Sequence, residues 1–174
     1  MDNVNQILDE RGVVNTRPIH PKIAIPIMEY AILEDDESLQ NIWCKLIANS
    51  LDPSFDIEIR YAFIEIVRNL TSLDANILKY IYDDMVKEAE KKQLMILDYP
   101  VSYVKIVENI HASNMEIDIS LYNLKRVQCI WDTDLVETVK GLVSIITHKE
   151  ERHKVEDSFK LTRLGYYFIR ACMI

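Results

Sequence analysis

The chain has 174 residues, with 28 acidic against 20 basic side chains, a formal net charge of −8 and an apolar fraction of 49%. That is a globular composition, and a chain of this length buries enough surface to need no disulfide or metal to hold a core. Only three glycines occur, which argues against phosphate-cradling loops and turn-dense all-β folds, while the acidic balance argues against a generic nucleic-acid coat.

Residues 1–18 lack a sustained apolar period and read as a flexible N-terminal arm. A first helix is expected from Ile23 to Leu33, with Pro21 and Pro26 restricting where it begins. After Glu34-Asp35-Asp36-Glu37, a strongly periodic helix places Leu39, Ile42, Trp43, Leu46, Ile47 and Ser50 on one face. Asp52-Pro53-Ser54 ends it. A third helix from Ile59 to Asn69 buries Phe63, Ile66, Val67 and Leu70. Thr71 and Asp74 then mark the start of a helix that buries Ile77, Leu78, Ile81 and Met85 and runs out along Glu88 to Lys92.

A short helix is expected from Val101 to Ile110, and Ser120 is expected to cap another helix carrying Leu121, Leu124 and Val127. Leu142–Thr147 and Phe159–Leu161 read as the two strands of a hairpin with a charged tip, and Thr162 as the cap of a last helix. The fold class expected is therefore mainly α: an N-terminal helical layer over residues 19–70, then a C-terminal winged-helix-like region over 71–174 with one short β-hairpin. The acidity belongs to the first part, because residues 1–110 hold 11 basic and 19 acidic side chains and residues 111–174 nine of each.

The start of the chain, Met1 to Arg11, is polar and lacks the apolar core of a signal peptide, and no apolar run reaches the ~20 residues that span a bilayer. Cys44, Cys129 and Cys172 are odd in number and contain no CxxC pair, so reduced thiols in a cytoplasmic protein without a membrane partner are expected. No nucleotide-binding glycine motif and no GxSxG elbow is present. His148 and His153 stand five apart, not four as in HExxH, and read as a solvated loop. No catalytic, cofactor or metal residue is assigned and no cofactor is expected.

Two candidate contact sets remain. Glu34, Asp35, Asp36 and Glu37 form the densest carboxylate cluster, read as helix-capping acids that also offer a partner surface. A divalent-metal enzyme built on them is a weaker reading. Lys125 and Arg126, with Arg152 and Lys154 on the hairpin, are the candidate nucleic-acid contacts. Glu150, Glu151, Glu156 and Asp157 share that wing and cancel its charge, so a protein-contact or purely structural role for it is at least as well supported.

Several ordered segments resemble the abortive-infection alpha family. They are Pro21–Glu29 followed by Leu33–Gln40, Trp43–Ser50 with Asp52-Pro53, Phe63–Ile66, and Leu70–Ala75 with Ile77-Leu78. Asn123–Val127 and Leu161–Gly165 with Phe168–Cys172 continue the series. One departure is Val127-Gln128-Cys129, where the family has Leu-Gly-Leu, so a glycine is missing from the turn after that helix. The resemblance implies a bacterial protein of prophage-like context acting in phage defence or its regulation, and supplies no catalytic residues. The expected function is non-enzymatic contact with a host or phage protein, with a winged-helix DNA-binding regulator as the alternative and homo-oligomerisation left open.

Overall fold

The structure, a computed structural model, describes residues 2–93, 95–133 and 157–174. Among them are eight α-helices and one small antiparallel sheet. Two compact units are distinguished: one takes residues 1–75 and 166–174, the other residues 76–165.

The first unit is helical. It contains α1 (Asp2–Glu10), α2 (Pro21–Leu33), α3 (Glu37–Leu51) and α4 (Tyr61–Arg68). The stretch expected as a loose arm thus holds a helix. Val4 and Leu8 of α1 are buried against Ala48, with Ile7, Cys44, Ile47 and Leu51 beside them. Nine residues are too few to hold a helix in isolation, and the short spacing of Val4, Ile7 and Leu8 gains meaning only once α3 is there to receive it. α2 begins at Pro21, where proline suits the first turn, and continues through Pro26. Asp36 caps α3 by accepting the Leu39 N–H at 3.0 Å. Leu39, Ile42, Trp43 and Leu46 are buried as their spacing requires, as are Phe63, Ile66, Val67 and Leu70. Phe63 meets Phe168 edge to face, with ring centroids 6.1 Å apart.

Helix α5 (Ser72–Lys92) opens on a reciprocal cap: Thr71 N–H donates to Asp74 Oδ2 at 2.7 Å, and Asp74 N–H to Thr71 Oγ1 at 3.2 Å. The second unit then runs through a 3₁₀ turn (Ile96–Asp98), β1 (Val101–Ser102), α6 (Tyr103–Asn109), α7 (Asn114–Arg126), β2 (Ile130–Asp132) and β3 (Ser158–Leu161), with α8 (Arg163–Cys172) beginning at its end. Ile77, Leu78, Ile81, Met85, Ile106 and Ile117 are fully buried.

Three expectations change here. The segment after Pro100 begins as a strand before turning helical. The helix expected to start at Ser120 starts seven residues earlier at Ser113. Ser113 Oγ receives the Glu116 N–H at 3.3 Å while Glu116 Oε2 receives the Ser113 N–H at 2.8 Å, a capping box that settles the start. Ser120 lies buried in the middle of α7. Finally, β3 is paired on both sides. It is the centre of a sheet ordered β1-β3-β2, with Val101 opposite Phe159 on one side and Ile130 opposite Leu161 on the other. The expected strand Leu142–Thr147 lies outside the described residues. Two- and three-residue strands such as β1 and β2 are too short to carry a period-2 signal in the sequence.

The missing glycine after α7 does not remove the turn. Gln128 itself adopts φ +58°. Its N–H donates to Lys125 O and the Cys129 N–H to Leu124 O, both at 2.9 Å, which is the Schellman pairing of a helix C-terminus.

Candidate functional site

The acidic turn is partly consumed by local structure. Asp36 receives the Leu39 N–H and the Ser72 hydroxyl, and these two donors, the hydroxyl first, hold its carboxyl below the ordinary value of 3.8. Glu34 Oε1 receives the Asp36 N–H at 3.2 Å, and Glu34 O receives Gln40 Nε2 at 2.9 Å. Asp35 and Glu37 stay exposed. Among the described residues no three His, Cys, Asp or Glu side chains gather as metal ligands.

The basic candidates are similarly engaged. Lys125 Nζ stands 3.0 Å from Asp132 Oδ2 across the α7–β2 step, and 5.8 Å from the centre of the Phe159 ring. Arg126 donates to Asn123 Oδ1 from both Nε, at 3.0 Å, and Nη2, at 2.7 Å. Arg152, Lys154, His148 and His153 lie outside the described residues.

Besides the exposed Asn114, Glu116, Asp118 and Arg126, α7 presents three large apolar side chains outward. Met115, Ile119 and Tyr122 are 69%, 63% and 71% exposed. Their i, i+4, i+7 spacing puts them on one face, opposite the buried Ile117, Leu121 and Leu124. A helix beginning at Ser120 would leave out Met115 and Ile119 and so lack this face. The signal that would have revealed it is Ser113-Asn114-Met115-Glu116, a capping-box pattern just before an apolar run.

A second surface lies in the helical first unit. α1, α2 and α3 enclose a cleft of about 280 Å³, lined by Val4, Met28, Ile32, Trp43, Cys44 and Ile47, with Asn3 and Gln40 as its polar members. Trp43 is 2% exposed, and its indole N–H is the buried side-chain nitrogen without a hydrogen-bond partner among the described residues. Cys44 is half-buried. Cys129 and Cys172 are fully buried, and burial pushes the Cys129 thiol up to about 12, which makes it inert.

The family model of abortive infection alpha matches residues 1–172. The chain belongs to that family. No curated protein and no solved structure matches it.

In this abortive infection alpha chain, the motif residues quoted above do mechanical work. Asn49 is buried in α3 and donates Nδ2 to Ala171 O at 2.7 Å, while its Oδ1 receives the Arg11 guanidinium. Arg17 Nε and Nη2 donate to the carbonyls of Ser50 and Asn49 at 2.9 and 3.0 Å, satisfying the C-terminal carbonyls that α3 leaves unpaired. Asp52 receives the Ser54 hydroxyl and N–H, and the hydroxyl is the main reason its carboxyl sits below the usual range. Thr162 caps α8 by receiving the Gly165 N–H at 2.9 Å. Among the described residues no helix is long and apolar enough to cross a membrane.

Proposed function

We propose that this abortive infection alpha protein acts without catalysis, by contacting a host or phage protein through the outward face of α7. One observation carries the reading: Met115, Ile119 and Tyr122 form a row of exposed large apolar side chains along that helix, bordered by the exposed Asp118 and Arg126, while Lys125 is bound to Asp132. A helix that reads DNA turns hydrogen-bonding and cationic side chains toward the groove. A row of exposed large apolar side chains suits a protein partner instead.

The test is an infection assay with the Ile119→Asp, Tyr122→Asp variant. Protection from phage and recovery of a crosslinked protein partner should both fall, with circular dichroism unchanged. Full protection and unchanged crosslinking by that variant would overturn the reading.

A second reading has its own support. Among the described residues the order from α5 to β3 runs helix, strand, helix, helix, strand, strand, an order that a winged helix-turn-helix could carry. In that reading the protein regulates by binding DNA, retention falls steeply with salt, and the Lys125→Glu, Arg126→Glu variant loses it. Unchanged retention in that variant removes the DNA reading.

A further inference from the structure

We infer that the cleft between α1, α2 and α3 is a docking groove for a helix of another protein, one with an apolar face flanked by lysine or arginine. The α2 sequence, Pro21-Lys22-Ile23-Ala24-Ile25-Pro26-Ile27-Met28-Glu29-Tyr30-Ala31-Ile32-Leu33, carries only two charged residues. A helix apolar on nearly all sides is normally buried on nearly all sides. Here Ile27 is buried, yet Ile25 is 65% and both Ile32 and Leu33 are 75% exposed. Ile32 also lines the cleft with Met28, so ridge and cleft form one apolar surface. Its apolar lining, drawn from three helices, suits the i, i+3, i+4, i+7 side chains of an amphipathic helix.

Charge identifies the occupant. Residues 1–50 carry eight acidic and four basic side chains. Of the four basic ones, Arg17 and Lys45 are turned to backbone carbonyls, Lys45 to Met173 O at 2.8 Å. Gln40, a cleft residue, holds the Glu34 carbonyl and so fixes the acidic turn at the groove's border, with Asp35 and Glu37 exposed. Glu29 is exposed beside Met28. A second copy would bring like charges together, and an anionic membrane would be repelled for the same reason. A helix with basic flanks gains at both its apolar and its charged contacts.

The test uses the full chain and a synthetic helical peptide with leucines at i, i+3, i+4 and i+7 and flanking lysines. Cys44 lines the groove and the other two thiols are fully buried, so Cys44 alkylation reports occupancy. The peptide should slow Cys44 alkylation saturably. Affinity should fall about tenfold in Ile32→Asp, and again in Asp35→Lys with Glu37→Lys. A matched peptide with glutamate flanks should bind at least about tenfold more weakly. These substitutions are at exposed positions, and circular dichroism checks that the fold persists. Unprotected Cys44 at saturating peptide, equal binding of the two peptides, or an unaffected Ile32→Asp variant would overturn the inference. So would protection by self-association in sedimentation, or by anionic vesicles in preference to the peptide.

Discussion

Gly165 lies directly against the carbonyl of Cys129: a Cβ at residue 165 would stand 2.1 Å from that oxygen. The approach is held by two hydrogen bonds from Thr162: its N–H donates to Cys129 O at 2.9 Å and its Oγ1 to Gln128 O at 2.6 Å. Backbone meets backbone, so no flexible side chain can yield. Gly165→Ala should therefore destabilise the protein by about 3 kcal/mol or more, read as a lower urea midpoint. A midpoint within error of wild type would show that the α8 entry can shift freely.

Gln128 supplies the complementary case. At φ +58° it pays the left-handed penalty of an L-residue, roughly 1–2 kcal/mol. Glycine escapes that penalty but gives up more chain entropy. Gln128→Gly should stabilise by about 0.5–1 kcal/mol and raise Tm by roughly 2 °C in calorimetry. A lowered Tm would mean that the Gln128 side chain contributes more than its backbone costs.

Asp36 makes stability depend on acid pH. Its carboxyl is held below the ordinary 3.8 by the Ser72 hydroxyl and the Leu39 N–H. The ionised form is therefore favoured by folding, and its contribution is complete above 3.8 and disappears as pH falls through the lower folded value. Asp36→Asn should lower Tm by a few degrees at neutral pH, with the gap to wild type closing as the solution is acidified below about 3.8. A gap independent of pH would assign the capping to hydrogen bonding alone.

Arg17 holds the end of α3 through two donors on one planar group. Arg17→Ala leaves the Asn49 and Ser50 carbonyls unpaired and should cost about 2 kcal/mol in chemical denaturation. Arg17→Lys keeps the charge but not the fork, so it should recover only part of that loss. Full recovery by lysine would make the interaction one of charge rather than geometry.

The helical scaffold was legible because its signals are local and repeated. The stripe Leu39, Ile42, Trp43, Leu46 and the Thr71–Asp74 cap are readable within a single window of sequence. Short elements stabilised by distant partners were not legible in the same way. α1 stands on contacts with α3, and β1 and β2 exist because β3 lies between them. On the candidate surfaces, the sequence identified Lys125 and Glu34 to Glu37 as charged groups but not their occupation. Lys125 meets Asp132, and Asp36 meets Ser72 36 positions away. Such pairings depend on the folded path of the chain, as does the exposure of Ile32 and Ile119.

The central strand of the sheet is also the last to be made. β1 and β2 each hydrogen-bond to β3. During synthesis, both edges of the future sheet must therefore wait for Ser158 to Leu161, whose insertion bonds two strands at once. At about 5–20 residues per second that wait lasts seconds. In that interval Val101 and Ile130, both buried in the finished protein, have no sheet to cover them. A chain broken before Ser158 therefore loses both strand pairings described for this sheet rather than one of them.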